Sequence, residues 1–211
     1  MTTRRAFVAL VLVLCVGLSA CGGQRIRDVY YGLDPEVSAT SSARPIPGTV
    51  RVSPLTARGF IAGTRIVYRT ADEPLRMQRY NEYLWADVPA SAIANALLAA
   101  LRSARVFENA VGPGDPARVS YLLTGELSRF EHRPTDPMPH VAVALTLVLV
   151  DADDRRLMVS KTYAETEPTP RGADGLMRPE DMVAAFNRAT GRIIDAALGD
   201  IRAQARRTGR G

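Results

Sequence analysis

Two histidines and a cluster of aspartates are the residues whose types could support metal or acid–base chemistry. His132 and His140, eight positions apart, flank a proline-rich break, but no third ligand has a recognisable metal-binding spacing. Asp151, Asp153 and Asp154 lack the glycine and distal glutamate that would complete an EF-hand calcium loop. We therefore interpret the histidines as exposed loop residues and the aspartates as a solvated turn, and we predict no metal site.

Cys21 ends a segment with the features of a bacterial secretion signal. Arg4 and Arg5 precede an apolar stretch from Ala6 to Leu18, which fits the roughly 7–15 residues of a signal and is shorter than the about 20 residues of a spanning helix. Leu18-Ser19-Ala20-Cys21 resembles a lipobox, whose cysteine is acylated and becomes the new N-terminus. We predict cleavage before Cys21 and N-acyl and S-diacylglycerol chains (palmitate-type) on this residue, which anchor the protein firmly. The alternative is an ordinary signal peptide with a chance cysteine.

The residue after Cys21 and the net charge bear on location and partners. An aspartate directly after the acylated cysteine is the usual inner-membrane retention signal in enteric bacteria, and Gly22 stands there instead. We therefore expect an outer-membrane protein that faces the periplasm. The formal net charge is +5, of which Arg4 and Arg5 contribute two, so the sequence does not indicate a nucleic-acid partner.

The sequence contains no motif for nucleotide binding or nucleophilic catalysis. A P-loop, a dinucleotide fingerprint and a nucleophile elbow are all missing. The mature chain has no free thiol, because Cys15 leaves with the signal and Cys21 is acylated. We predict that the protein is not an enzyme and needs no cofactor beyond its covalent lipid. A periplasmic hydrolase with an unrecognised site stays open as an alternative.

The pattern of apolar residues predicts strands, a helix, three more strands and a final helix. The predicted strands are 29–33, 49–55, 65–70, 75–85, 119–133, 141–150 and 156–165, and the helices begin at Pro89, with Asp87 as a possible cap, and at Pro179. In the strand 119–133, Leu123 and Leu127 are expected to face opposite to Phe130. Phe107 is expected to plug the core after the first helix. These elements predict a single-domain α/β (α+β) sandwich with a mostly antiparallel mixed sheet and two main helices packed on it.

The chain divides into four predicted segments. They are a lipoprotein signal peptide at 1–20, a lipidated tether and linker at 21–48, one folded domain at 49–204 and a basic tail at 205–211. We expect the arginine-rich tail to be a frayed helix end, with contact to anionic lipid or to a partner as the alternative.

Four aromatic residues fall in the predicted hairpin: Tyr68, Tyr80, Tyr83 and Trp85. Strict alternation places Tyr83 and Trp85 on one face and Tyr80 on the other. Aromatic residues in adjacent strands are most often core or cross-strand pairs. The sharper hypothesis is that the four form a contact surface for a partner or for lipid.

The order of short motifs resembles the ABC-type transport auxiliary lipoproteins, which include the outer-membrane lipoprotein component of the paraquat-inducible system. The resemblance runs through most of the mature chain. It rests on Tyr30-Tyr31-Gly32-Leu33 after the lipobox, Val50-Arg51-Val52-Ser53-Pro54, Arg65-Ile66-Val67-Tyr68-Arg69, Trp85-Ala86, Pro89 with Leu97 and Leu101, Phe107, and Leu123, Leu127 and Phe130. Phe60 stands where many members have a tyrosine.

The resemblance implies a non-catalytic role in transport. The protein would be the outer-membrane partner of an MCE-domain protein with an ABC permease and ATPase, which move phospholipid or another hydrophobic molecule. It leaves cargo, direction and a homo-oligomeric state open. A structural or assembly lipoprotein of the envelope, unconnected to transport, is the alternative function.

Overall fold

The computed structural model describes residues 27–38 and 40–208. The predicted signal peptide, Cys21 and the last three residues of the chain lie outside these residues. The strands are β1 (Val29–Tyr31), β2 (Ile46–Val52), β3 (Thr56–Ala57), β4 (Arg65–Tyr68), β5 (Gln78–Trp85), β6 (Phe107–Val111), β7 (Tyr121–Arg133), β8 (His140–Asp151) and β9 (Leu157–Pro168). The helices are α1 (Pro89–Ser103) and α2 (Pro179–Thr208), and a short 3-10 helix covers Gly59–Ala62.

Strand β7 organises one mixed sheet. One of its edges pairs along its length with antiparallel β8, which pairs in turn with antiparallel β9. Its other edge takes three shorter strands in succession, β2, β3 and β4, all parallel to it. Beyond β2, β6 pairs parallel to β2. Beyond β4, β5 pairs antiparallel to β4, and β1 pairs parallel to β5. The antiparallel ladders hold most of the paired residues, so the predicted fold class is confirmed.

A bulge in β7 changes the side of the sheet on which Phe130 lies, so its predicted orientation was wrong. Leu127 pairs with Leu145, whereas Arg129 already pairs with Ala144, so Ser128 is an extra residue on β7. An extra residue reverses the alternation beyond it. Phe130 therefore joins Leu123 and Leu127 in the core instead of facing away from them.

Both helices bury one apolar face whose residues recur at helical spacing. The buried stripe of α2 comprises Met182, Phe186, Ala189, Ile193, Ala197 and Ile201. Helix α1 buries Ile93, Leu97 and Leu101, and Pro89 stands at its first turn, where a missing N–H costs little. The predicted cap was wrong, because the N-cap position is Val88 and no side chain caps the helix.

Two regions differ from the sequence prediction. Phe107 is buried but begins strand β6, which was not predicted as a strand. Residues 32–38 and 40–45, here called the strap, were assigned to a linker but lie along α2. Asn187 Oδ1 accepts a hydrogen bond from the Asp34 N–H at 2.9 Å, and Asp195 Oδ2 accepts one from the Ser38 N–H at 3.0 Å.

Candidate functional site

The predicted aromatic surface consists of two different groups of residues. Trp85 is 1% exposed and packs in the core, with its ring centroid 5.4 Å from that of Phe130 and 5.2 Å from that of Phe186. It therefore does not belong to a contact surface. Tyr80 and Tyr83 are half-buried, and their ring centroids are 5.3 Å apart.

The contact between Tyr80 and Tyr83 was not expected, because strict alternation places the two on opposite faces. Arg65 pairs with Leu84, whereas Val67, only two residues later, pairs with Arg79. Strand β5 therefore carries extra residues, and this irregularity brings the two tyrosines together. Tyr68 continues the row, with its ring centroid 4.5 Å from that of Tyr80.

The row of tyrosines ends at a buried histidine. The hydroxyl of Tyr80 lies 2.8 Å from Nδ1 of His132, and Nε2 of His132 lies 3.1 Å from the hydroxyl of Thr169. His132 is 0% exposed, so its interpretation as an exposed loop residue was wrong. Burial, with a smaller contribution from His140, lowers the pKa of His132 to about 4. Burial, followed by the neighbouring tyrosines, raises the pKa of Tyr80.

His140 is not an exposed loop residue either, because it is half-buried and belongs to β8, and its partners differ from those of His132. His140 begins β8 and donates from Nδ1 to the carbonyl oxygen of Met138 at 2.9 Å. Its Nδ1 is also 4.0 Å from Asp136 Oδ2. Among residues 27–38 and 40–208, no group of three or more His, Cys, Asp or Glu side chains could hold a metal ion.

The aspartate cluster forms a hairpin turn between β8 and β9. Asp151 Oδ1 accepts a hydrogen bond from the Asp153 N–H at 3.0 Å, and Asp154 Oδ1 accepts one from the Arg156 N–H at 2.9 Å. Asp153 and Asp154 are exposed. Their carboxylates stabilise the turn by accepting these backbone bonds.

A groove between the strap and the last turns of α2 was missed in the sequence. It has a volume of about 720 Å³, within the usual range for small-molecule sites. Its apolar side chains come from the end of the strap, from the start of β2, from the residue before β6, from β7 and from β9. They are Pro45, Ile46, Pro47, Val106, Tyr121 and Met158.

Three arginines line this groove together with the apolar residues: Arg44, Arg202 and Arg206. No carboxylate is part of the lining. Arg202 donates to the carbonyl oxygens of Thr40 at 2.6 Å and Ala104 at 3.0 Å, so it holds the strap to the helix end. The combination of apolar walls with cationic side chains suits a molecule that has an apolar part and an anionic group.

No local motif announces the groove, because its lining comes from five separated parts of the chain. The sequence indicates the groove only through the excess of arginine near the C-terminus, which predicts a basic tail at 205–211. In the structure α2 continues to Thr208, so Arg206 belongs to a helix that packs on the domain.

The chain is similar to one family of proteins and to solved structures. A family model described as "ABC-type transport auxiliary lipoprotein component" matches residues 31–197. Protein XCC0632 from Xanthomonas campestris has 20% identity and a TM-score of 0.73 over 87% of this chain and 99% of its own. A solved uncharacterised protein has 18% identity and a TM-score of 0.63 over 83% of this chain and 99% of its own. At these identities the two structures support the fold. No curated protein matches the sequence significantly.

Proposed function

Because the chain belongs to the family of ABC-type transport auxiliary lipoprotein components, we propose that it is the outer-membrane-anchored periplasmic component of an ABC/MCE-type transport system. Its cargo would be phospholipid or another hydrophobic molecule. Its role would be to dock a periplasmic partner to the membrane, without catalysis of its own. The observation that carries the proposal is the family match over most of the domain, joined to the lipobox that ends at Cys21.

The lipobox supports attachment of the chain through lipid on Cys21. In residues 27–38 and 40–208 no helix is long and apolar enough to cross a membrane. Two or more acyl chains hold a protein stably on a bilayer, whereas one chain binds only marginally. Gly22, in place of a retention aspartate, favours the outer membrane.

The arginine-lined groove supports a cargo that is both apolar and anionic. An acyl chain would contact Ile46, Val106 and Met158, and the phosphate of a headgroup would contact Arg44 and Arg206. Arginine is well suited to phosphate because its planar guanidinium donates two parallel hydrogen bonds. The energy for transport would come from the partner ATPase.

Capture of the partner is the direct test of the docking role. The lipidated chain is crosslinked mildly in cells and purified with its neighbours, and Cys21→Ser serves as the unanchored control. We expect an MCE-domain protein with the wild-type chain and a strong loss with the variant. The mass of the complex measures whether the chain docks as a homo-oligomer. Recovery of envelope assembly proteins without an MCE-domain protein would favour the structural alternative.

The groove is tested separately with a fluorescent short-chain phosphatidylglycerol. Arg206→Glu should weaken binding by about tenfold or more, because a hydrogen bond to a charged group contributes roughly 1.5–3 kcal/mol. Arg118→Glu is the matched control, since the Arg118 side chain is 93% exposed and lies outside the groove. Equal affinity of the two variants would exclude the groove as the lipid site.

A further inference from the structure

Three loops carry large apolar side chains that point into solvent. Leu75, in the turn between β4 and β5, is 93% exposed. Met138, between β7 and β8, is 80% exposed, and Leu176, between β9 and α2, is 66% exposed. Single exposed apolar residues are common on protein surfaces and need no explanation. Their common position on the molecule is the unusual feature.

The strand directions place all three loops at the same end of the sheet. β4 and β7 run parallel, so the loops that follow them lie side by side. β9 ends opposite the start of β8, since Pro168 pairs with His140, and its following loop therefore lies at this end as well. We call this end, formed by residues 69–77, 134–139 and 169–178, the loop end.

Hydrogen bonds hold the three loops together. The Ala71 N–H donates to the Thr135 hydroxyl at 2.8 Å. Arg171 donates from Nη2 to the carbonyl oxygen of Pro134 at 3.1 Å, and the Thr169 N–H donates to the carbonyl oxygen of Pro139 at 2.8 Å. The loops are therefore one connected surface. The exposed residues Arg76, Arg171 and Arg178 lie in the same loops as the apolar tips.

The first residue of β1 lies on the side of this strand that faces the loop end. β1 runs parallel to β5, with Val29 opposite Tyr83, and β5 begins at this end. Residues 27 and 28, which precede Val29, therefore lie on its loop-end side. Cys21 precedes Val29 by eight residues, which span at most about 28 Å. β7 alone has 13 residues, a length of about 43 Å, so the tether reaches the loop end more easily than the opposite end.

We propose that the loop end rests on the membrane that holds the lipid of Cys21, with Leu75, Met138 and Leu176 in its interfacial layer. This inference rests on the lipid anchor of the proposed function. Apolar side chains at the boundary of headgroups and acyl chains add area-dependent binding to that of the lipid. Arg171 and Arg178 are then at the level of the lipid phosphates, whereas Arg76 is paired with Glu73.

This orientation turns the arginine-lined groove away from the membrane. α2 begins at the loop end and continues to the groove, and Glu180 and Arg202 are 22 residues apart, a rise of about 33 Å along the helix. The groove then faces the periplasm, where a partner could deliver or accept cargo.

The test uses single cysteines, because the mature lipoprotein has no other free thiol. Leu75→Cys, Met138→Cys and Leu176→Cys are labelled with a nitrobenzoxadiazole dye in the lipidated chain. The chain is reconstituted in vesicles of phosphatidylethanolamine and phosphatidylglycerol, with or without spin-labelled lipid. Leu157→Cys is the matched control, because Leu157 is also an exposed leucine, 58% exposed, at the opposite end of the sheet. Thermal unfolding checks that each labelled variant is folded.

We expect blue-shifted emission and quenching by spin-labelled lipid at positions 75, 138 and 176, and neither effect at position 157. Membrane-bound protein without quenching at the three loop positions would overturn the orientation while leaving the anchor intact. The same holds if quenching is equal at position 157, or if the loop dyes respond only when a protein partner is added. A chain that carries no lipid and does not bind the vesicles would overturn both proposals, and mass spectrometry of Cys21 identifies that case.

Discussion

The hydroxyl of Tyr80 lies 2.8 Å from Nδ1 of His132, inside the domain. Nε2 of the same ring lies 3.1 Å from the hydroxyl of Thr169. Both partners are hydroxyl groups, which can donate or accept, so either neutral tautomer of the imidazole is satisfied. The three side chains connect β5, β7 and the residue that follows β9. A protonated ring would be a buried charge without a carboxylate partner among these contacts, which explains why its pKa is lowered to about 4.

Stability should fall as the pH is lowered from about 6.5 to 4. In that window the unfolded chain binds a proton at His132 and the folded chain, with a pKa of about 4, does not. The free energy of unfolding decreases by up to about 3 kcal/mol across this window, at 1.36 kcal/mol for each pKa unit. Denaturant unfolding of the mature chain at several pH values measures it. His132→Gln should remove this part of the pH dependence and His140→Gln should retain it, and equal profiles for the two variants would contradict the assignment.

Tyr80→Phe should destabilise the domain by about 1–3 kcal/mol. The change leaves Nδ1 of His132 buried without its hydroxyl partner, and an unsatisfied buried group carries a desolvation cost of this size. Tyr30→Phe is the matched control, because Tyr30 is exposed on β1. Urea unfolding compares the two variants, and an equally small effect from both would show that the hydrogen bond to His132 contributes little.

Much of the fold could be predicted because apolar residues recur at regular spacing in its longest helix and strands. The stripe of α2 from Met182 to Ile201 repeats at helical spacing, and β7 and β8 carry long apolar patterns. Each of these signals is local in the sequence. The helix starts at Pro89 and Pro179 were also predictable, since proline is favoured in a first helical turn.

The facing of individual side chains could not be predicted where strands are irregular. Ser128 is an extra residue on β7, and the corresponding irregularity in β5 brings Tyr80 next to Tyr83. The position of a bulge depends on the partner strand, so the alternation of one strand does not contain it. The burial of His132 has the same origin, because its partners, Tyr80 and Thr169, are distant in the sequence.

Removal of the Phe186 ring should lower the free energy of unfolding by several kcal/mol. Phe186 of α2 contacts Trp85 and Phe130 of the sheet, with ring centroids 5.2 and 4.4 Å away. Phe186→Ala deletes the helix side of this contact and leaves a cavity, with an expected loss of about 3–5 kcal/mol. Leu157→Ala, at an exposed position, should change stability by less than about 0.5 kcal/mol. Thermal and denaturant unfolding test both, and similar losses would mean that α2 is not packed through Phe186.

Two glycines of α2 give a test of whether the strap is part of the folded domain. A Cβ at Gly191 would overlap the carbonyl oxygen of Glu36, whereas a Cβ at Gly199 would have no atom within 4 Å. Gly191→Ala should therefore push the strap away from the helix and break the bonds that Asp34 and Ser38 donate to it. Gly199→Ala should instead stabilise α2 by up to about 1 kcal/mol, because alanine favours the helix.

Limited digestion with the glutamate-specific protease Glu-C reads out the strap directly, because exposed Glu36 lies within it and is followed by Val37. Cleavage that requires local opening follows the population of the open form. A loss of about 1.4 kcal/mol in strap docking increases that population, and the cleavage rate, about tenfold. We expect this acceleration for Gly191→Ala and the wild-type rate for Gly199→Ala. Equal rates for both variants would mean that the strap is a free linker, as its composition alone suggests, and that its contacts with Asn187 and Asp195 do not hold it.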